Sequence, residues 1–390
     1  MGARTLQVGE IATTLFDPEA EAVARQMWQH GGDIVSSRRA NATLEGRSDS
    51  PQATQAKVML KGRVGALAGA PSSHVRLHPT GMSALHAALR LAMRLHPGRP
   101  TAQLGFPYVD TLKLQERMGK GAVFFPHGRA ADLDALQAHL TAGELAAVFT
   151  EVPTNPLMQT LDLPRLAQMT RKAGVPLVVD DSAATFFNLD LSPHADVLVS
   201  SLTKHFSGSG EAMGGALVVV AASPLAARLQ AGLDDEDLLW GEDAEVLLAG
   251  AETFEARMPR INATAAHLAA ALTRHPAVAR VHHPALDTDG AYAGLMRPAG
   301  GHGGMLSLLL RDANRAPAFY DALDAAKGPS FGLPCTIACP YTLLAHYAEL
   351  AWAESCGVAR HLVRVSVGLE APDTLVPRFE HALERAAGKD

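Results

Sequence analysis

The sequence predicts an α/β fold, with a mostly parallel sheet covered by helices on both faces and a smaller α+β domain after it. Short apolar runs recur between residues 122 and 220, helix-patterned stretches separate several of them, and a long alanine-rich helical pattern follows after about residue 250. Strands buried on both faces read as continuous apolar runs, and parallel strands are usually connected through helices. The alternation therefore favours a sheet covered on both sides.

The first part of the chain is predicted to be an arm. Residues 1 to about 60 are polar and poor in strand signals, which is typical of an arm or loop rather than a core. We expect the arm at residues 1–55, a large domain at 56–245 and a small domain at 246–390.

The remaining elements follow from periodicity. Helices are predicted from about residue 54 to 67 and at residues 82–95, 132–140, 164–173 and 252–274. Strands are predicted at residues 122–125, 146–150, 175–179, 197–199 and 216–220. A looser region at 305–311 and a last strand and helix from residue 362 complete the predicted small domain.

Bulk composition excludes several classes of protein. A formal net charge of −6 offers no basic surface for nucleic acid, no apolar stretch reaches the length of a membrane span, and three cysteines are too few for a disulfide framework. The first residues lack the apolar region of a signal peptide, and the 17 histidines show no metal-ligand spacing. We therefore expect a cytoplasmic protein that binds neither nucleic acid, membrane nor metal.

Lys204 is the most informative residue because of its surroundings. It lies in VLVSSLTKHFSGSG (residues 197–210), an apolar run that ends in hydroxyl residues, one lysine and glycines. A second apolar run ends in a carboxylate, Asp180. A lysine amine, an acid and phosphate-sized donors at strand ends are the parts that hold pyridoxal phosphate (PLP) as a Schiff base. Burial near a cationic cofactor lowers the pKa of such a lysine, which must be neutral for part of its cycle.

Three neighbouring motifs leave alternatives open. The turn TGMS at residues 80–83 is either a phosphate site at a helix N-terminus or a plain helix cap. The loop EVPTNP at residues 151–156 either holds Asn155 at a fixed angle or is an ordinary proline turn. Asp180 either pairs with a protonated ring nitrogen or caps the next helix, and we favour it over its neighbour Asp181 from its register.

One rival motif can be set aside. Ser201 and Lys204 also match the Ser-x-x-Lys pattern of penicillin-binding proteins and β-lactamases. The companion strings Ser-Asp-Asn and Lys-Thr-Gly do not occur in the sequence, and neither does a Gly-x-Ser-x-Gly elbow. The glycines that follow Lys204 also fail the dinucleotide-binding spacing. We therefore retain the PLP interpretation.

Taken together, these strings resemble the Cys/Met-metabolism family of PLP-dependent enzymes, the fold-type-I group that contains cystathionine γ-synthases, cystathionine lyases and methionine γ-lyases. The resemblance spans about residues 30–385 and rests on five separated motifs in the family's order. It implies a seven-stranded sheet in the large domain, PLP as cofactor, and amino-acid substrates.

The resemblance also implies roles for individual residues. Lys204 resembles the Schiff-base lysine, Asp180 the acid that faces the pyridine nitrogen, and Tyr108, in FPYVDT at residues 106–111, the catalytic tyrosine that stacks on the ring. Arg364 resembles the arginine that grips the substrate's α-carboxylate, for which its fork is well suited. The resemblance assigns the other positions to cofactor or substrate: Gly81, Met82, Ser201 and Thr203 to the phosphate, Asn155 and Ser182 to the ring, and Glu151 and Ser330 to the substrate.

Two departures from the family pattern affect what it implies. The arm motif Tyr-Ser-Arg-x-x-Asn-Pro-Thr is SSRRANAT at residues 36–43, so the arm tyrosine is missing, while Arg38 can still reach a neighbour's phosphate. Some lyases and synthases have an acidic residue where Cys335 falls. The run CPYTLLAHYAELAW at residues 339–352 is most similar to a cystathionine γ-synthase branch of fungi and some bacteria.

The expected reaction is γ-replacement on an activated homoserine ester by a thiol such as cysteine, which gives cystathionine. The alternatives are γ-elimination, as in a cystathionine or methionine γ-lyase, and a non-catalytic relative that keeps the PLP fold as a binding module. The predicted reach of Arg38 to another subunit implies a homo-oligomer, more specifically a dimer of dimers.

Overall fold

The computed structural model describes residues 3–8, 11–234 and 237–388. Its strands are β1 (Ala3–Val8), β2 (Ile11–Phe16), β3 (Val75–His78), β4 (Thr101–Leu104), β5 (Ala122–Phe125), β6 (Val148–Glu151), β7 (Leu177–Asp180), β8 (Val197–Ser201), β9 (Gly215–Val219), β10 (Val278–His282), β11 (Met305–Leu310), β12 (Ala326–Lys327), β13 (Ile337–Pro340) and β14 (Val363–Ser366). Its helices are α1 (Glu21–Gly31), α2 (Ser37–Leu44), α3 (Pro51–Ala68), α4 (Gly81–Leu95), α5 (Val109–Met118), α6 (Ala130–Ala142), α7 (Leu163–Ala173), α8 (Ala226–Gly232), α9 (Gly241–Ala251), α10 (Phe254–Arg274), α11 (Ala316–Ala322), α12 (Tyr341–Ala345), α13 (Leu350–Ser355) and α14 (Pro372–Ala386).

The large sheet confirms the predicted fold class. Its seven strands lie in the order β3-β9-β8-β7-β6-β4-β5, and β9 alone runs antiparallel to its neighbours. One apolar core, with side chains from α3, α6, α7 and α9, covers one face of this sheet. A second core, with side chains from α4, α5 and α8, covers the other face. The sheet is therefore buried on both sides, which explains why its strands read as short apolar runs.

The smaller C-terminal domain contains a five-stranded sheet in the order β10-β11-β14-β13-β12. Helices α10, α11 and α14 pack on this sheet around their own apolar core. Helix α10 takes part in both domains, because Phe254 and Met258 belong to the large-domain core while Leu268 and Leu272 belong to the small-domain core. The boundary expected at residue 246 stays a prediction.

The N-terminal stretch contains more regular secondary structure than its loop-like sequence indicates, and the arm boundary at residue 55 stays a prediction. Strands β1 and β2 pair antiparallel, and α1, α2 and the start of α3 follow. The side chain of Ser36 accepts a hydrogen bond from the Arg39 amide, and that of Ser50 accepts one from the Ala53 amide with a proline at the first helical position. These serines and the proline looked like loop residues in the sequence, but they are helix-start signals.

The edge strand β3 and the interior strand β4 also escaped the sequence-based prediction. Strands β3 and β4 contain polar residues that are nonetheless buried, among them His78, Thr101 and Gln103. Gln103 is satisfied because Gln115 Nε2 donates to its Oε1 (2.8 Å) and its own amide donates to the carbonyl oxygen of Leu104 (3.2 Å). The looser region expected at 305–311 is strand β11, and no helix among the described residues is long and apolar enough to cross a membrane.

Candidate active site

Twelve of the thirteen sequence-predicted site residues line a single cavity of about 330 Å³. The cavity lies at the ends of β6, β7 and β8 and at the start of α4, where a doubly wound sheet places its ligands. The predicted residues that line it are Gly81, Met82, Tyr108, Glu151, Asn155, Asp180, Ser182, Ser201, Thr203, Lys204, Ser330 and Arg364. A larger cleft of about 700 Å³ lies elsewhere, and none of the predicted residues lines it.

The first turn of α4 forms one end of this cavity. Thr80 caps the helix by accepting a hydrogen bond from the Ser83 amide (3.0 Å), and Gly81 is the first helical residue. A Cβ atom added to Gly81 would lie 2.9 Å from Ser201 Cβ, so only glycine lets the helix start approach β8 this closely. The first N–H groups of a helix lack partners inside the helix and attract anions. This turn, with the nearby hydroxyl of Ser201, fits the phosphate of PLP.

Asp180 provides a buried carboxylate on the floor of the cavity. It ends β7, is 7% exposed, and accepts a hydrogen bond from the Ser182 amide (2.9 Å). Burial raises its pKa, and none of the described cationic side chains forms a salt bridge with it. A protonated pyridine nitrogen would supply the missing positive partner. The neighbouring Asp181 does not line the cavity and instead accepts from the Phe186 amide (2.9 Å).

Glu151 lies beside Asp180 on the adjacent strand. Burial, and then the charge of Asp180, raise the pKa of Glu151 well above its usual value. Its Oε2 accepts a hydrogen bond from the Tyr108 amide (2.9 Å), which anchors the loop that carries the predicted ring-stacking side chain. The structure therefore connects Glu151 to the position of Tyr108, and its predicted contact with substrate stays a prediction.

Lys204 follows β8 and points its amine into the cavity. Its Nζ donates a hydrogen bond to Ser330 Oγ (3.0 Å) and lies 5.0 Å from the ring centroid of Phe331. Burial, and then the positive charge of Arg364, lower the pKa of Lys204 to about 8. A lysine with this pKa has a substantial neutral fraction near neutral pH, as Schiff-base chemistry requires.

Arg364 belongs to β14 of the small domain and is almost fully buried, at 3% exposure. Its Nη1 donates to Asn155 Oδ1 (3.2 Å), and its Nη2 donates to the carbonyl oxygens of Pro329 and Ser330. The guanidinium lies between two rings, with Cζ 5.5 Å from the centroid of Phe331 and 5.0 Å from that of Tyr341. These contacts fix the orientation of its charge.

Sequence reasoning missed several residues of the cavity wall. Pro329 and Phe331 flank the predicted Ser330 and line the cavity, whereas Cys335 is exposed and does not. In the sequence, only the adjacency of Pro329 and Phe331 to Ser330 could have indicated that they line the cavity. Met213 and Leu85, which also line the cavity, carried no sequence signal that separates them from ordinary core residues.

Arg38 is the predicted site residue that lies outside the cavity. Its Nη1 donates to Asp243 Oδ1 (3.0 Å) and to the carbonyl oxygen of Glu211 (3.1 Å). Its reach to the phosphate of a neighbouring subunit stays a prediction.

Comparison with known proteins identifies the family of this chain. The sequence profile of the Cys/Met metabolism PLP-dependent enzymes matches residues 31–384. A cystathionine gamma-synthase of Neurospora crassa is 41% identical over 322 residues, which are 80% of this chain and 52% of that protein. The chain thus spans about half the length of this relative. An L-2-amino-4-chloropent-4-enoate dechlorinase/desaturase of Streptantibioticus cattleyicolor is 34% identical over 99% of this chain and 80% of its own.

Solved structures agree on the fold. The cystathionine gamma synthase of Xanthomonas oryzae pv. oryzae, in complex with aminoacrylate and cysteine, superimposes with a TM-score of 0.73 at 24% identity, covering 86% of this chain and 87% of that chain. A cystathione gamma lyase of Micromonospora echinospora gives the same TM-score at 25% identity, over 87% and 88% of the two chains. The fold is that of fold-type-I PLP enzymes, and this chain belongs to the Cys/Met-metabolism family of PLP-dependent enzymes, with PLP as its cofactor.

Proposed function

We propose that this protein catalyses γ-replacement on an activated homoserine ester with a thiol such as cysteine, which gives cystathionine. The observation that carries the proposal is that one cavity contains a buried lysine of lowered pKa, a buried acid and an arginine held in a fixed orientation. The 41% identity with a protein named cystathionine gamma-synthase supports this choice of reaction.

Substrate orientation is assigned to the small-domain side of the cavity. The bidentate fork of Arg364 binds the α-carboxylate, since Asn155 and two backbone carbonyls already fix the direction of its guanidinium. With the carboxylate held there, the Cα–H bond is directed toward the Lys204 amine. Tyr108 covers the ring from the opposite loop, and Asp180 keeps the ring nitrogen protonated.

Proton transfer is assigned to Lys204. Bound PLP supplies an aldehyde for the substrate amine and a ring that withdraws electrons from Cα. The neutral Lys204 amine takes the proton from Cα, a second proton leaves Cβ, and the acyloxy group departs from Cγ as a carboxylate. The thiol then loses its proton, which is released with the carboxylate, as its sulfur forms a bond to Cγ, and the two protons taken from Cα and Cβ return to those carbons. A single positioned amine of lowered pKa is suited to this shuttle.

A two-part experiment tests the assignment. Borohydride reduction of the PLP-loaded protein and peptide mapping should place a pyridoxyl label on Lys204, and a missing label would reject the enzyme assignment. The purified protein is then given O-acyl-homoserine with cysteine, or cystathionine alone. Formation of the thioether supports γ-replacement, whereas release of 2-oxobutyrate without any thioether rejects it.

Elimination is the second candidate reaction, because structures named as lyases superimpose on this chain with the same TM-score as a structure named as a synthase. The first proton transfer at Cα is common to both reactions, so the same residues serve either one. The assay with cystathionine alone measures this reaction directly.

We further propose that the active protein is a homo-oligomer, a dimer of dimers in which Arg38 extends toward a neighbour's phosphate. Its bond to Asp243 leaves the side chain one-third exposed. Light scattering that shows an active monomer would reject this proposal.

A further inference from the structure

A short stretch at the end of α1 binds the helix that carries the proposed phosphate turn. Thr80 Oγ1 donates to the carbonyl oxygen of Gly32 (2.8 Å), and Ser83 Oγ donates to Asp33 Oδ1 (2.6 Å). His86 Nδ1 lies 2.8 Å from the other oxygen of Asp33. Three consecutive contacts along the first two turns of α4 therefore come from residues about 50 positions earlier in the chain.

Gly32 explains how the two segments come so close. Its φ of +64° lies in the left-handed region, which favours glycine. A Cβ atom added to Gly32 would lie 2.5 Å from Met82 Cβ and 2.6 Å from Thr80 Oγ1. The backbone of residue 32 is therefore in direct contact with the turn whose amides face the cavity.

The same stretch also binds the helix that follows Tyr108. His30 Nδ1 lies 2.8 Å from Asp110 Oδ1, and Gln29 Nε2 donates to the same oxygen (3.0 Å). His30 and Asp110 are both buried. Asp110 is in the first turn of α5, two residues after Tyr108, so this contact holds the base of the loop that carries Tyr108.

We propose that residues 29–33, here called the brace, are positioning residues that set the distance between the phosphate turn of α4 and the Tyr108 loop of the same chain. The proposal rests on the proposed placement of phosphate and ring in this cavity. Gly32 and Asp33 hold the phosphate end, whereas Gln29 and His30 hold the ring end. The brace itself does not line the cavity.

The two ends of the brace predict different binding signatures. Dissociation constants are measured for pyridoxal phosphate and for pyridoxal, which lacks the phosphate, by absorbance titration of the cofactor-free full-length protein. Substitutions at the phosphate end of the brace, at Gly32 or Asp33, should weaken the binding of pyridoxal phosphate only. Loss of the ring end should weaken both forms alike, because both contain the ring. General destabilisation would not separate the two ligands, so the ratio of the two constants reports positioning at the phosphate end. At the ring end, positioning is reported by a rise in both constants in a variant whose thermal unfolding temperature is unchanged.

For Gly32→Ala and Asp33→Asn we expect the Kd of pyridoxal phosphate to rise about 10-fold, and that of pyridoxal to rise less than about 2-fold. Ser83→Ala removes the helix-side donor to Asp33, together with the contact of this hydroxyl with His78 (3.3 Å), and should give the same pattern at about 3-fold. His30→Ala should raise both constants by about 5-fold and leave their ratio unchanged. The matched control is Glu21→Gln at an exposed α1 residue that pairs with Arg25, which should change neither constant.

If the ratio of the two dissociation constants is unchanged in folded Asp33→Asn and Ser83→Ala proteins, the proposal is overturned, even if Gly32→Ala does not fold. Circular dichroism and thermal unfolding establish folding for each variant. Failure of the proposed function gives a different result, since the wild-type protein would then take no pyridoxyl label at Lys204 at all.

Discussion

The two sides of the cavity are built by different means. The cofactor side (Gly81, Asp180, Ser201 and Lys204) consists of strand ends and one helix start of a single sheet. The substrate side (Ser330, Phe331 and Arg364) depends on contacts between domains, and the hydrogen bond from Arg364 to Asn155 of the large domain joins residues 209 positions apart. Substitutions on the cofactor side should therefore alter cofactor chemistry. Substitutions on the substrate side should alter the KM for the substrate and leave the spectrum of the bound cofactor unchanged.

The largest effect is expected for Lys204→Ala on the cofactor side. Removal of the amine removes the group that moves the proton at Cα, so kcat should fall about 1,000- to 10,000-fold. The measurement is the steady-state rate together with borohydride labelling, which should find no pyridoxyl peptide at this position. A variant that retains more than a tenth of the wild-type rate would contradict the assigned role.

Arg364→Lys should give the largest effect on the substrate side. A lysine cannot form the bidentate fork or keep the bond to Asn155, and charge-assisted hydrogen bonds are the strong ones, so kcat/KM should fall about 100-fold, mainly through KM. The cofactor absorption spectrum should not change. The matched control is Arg360→Lys, an exposed arginine paired with Glu354. A changed cofactor spectrum in Arg364→Lys would break the distinction between the two sides.

Asp180→Asn probes the cofactor side through kcat. The amide keeps the shape and the bond to the Ser182 amide but loses the negative charge, so kcat should fall about 10- to 100-fold with little change in KM. Asp181→Asn is the matched control, because this neighbouring acid does not line the cavity. Equal losses of kcat in both variants would show that register did not identify the correct acid.

Ser330→Ala tests a contact between the two sides, because this small-domain residue accepts a hydrogen bond from the Lys204 amine. Loss of one hydrogen bond of this kind should lower kcat/KM about 3- to 10-fold. Single-turnover kinetics would show whether the loss falls on the chemical step. An effect confined to substrate binding would assign Ser330 to the substrate side alone.

The smallest effect concerns pH. Only the neutral Lys204 amine attacks an aldehyde, and its pKa is lowered to about 8, so the rate of cofactor uptake should rise with pH through about 8. An ordinary lysine would give a rise near 10.4. Arg364 contributes to the lowering by its charge, so in Arg364→Gln the rise should move to higher pH. Stopped-flow absorbance of the cofactor-free protein measures both profiles.

Most residues of the cofactor side could be predicted from the sequence, because they directly follow or end short apolar strands. Asp180 and Lys204 each follow a run of buried apolar residues, and neighbouring strands of one sheet bring such positions together. Arg364 and Asn155 were predicted through a family resemblance rather than through any pattern that places them in contact. The brace had no local signal, since its partners on α4 and α5 are about 50 to 80 residues away.

The sequence alone determined the sheet class, the family and which polar residues stand at the ends of the strands, because periodicity and strand-end polarity are local properties of the chain. Only the tertiary structure decided that polar Gln103 belongs to a central strand, that the N-terminal stretch is helical and contacts the phosphate turn, and that Phe331 and Tyr341 enclose Arg364. Each of these depends on partners elsewhere in the sequence, and their burial and hydrogen bonding exist only once the chain has folded.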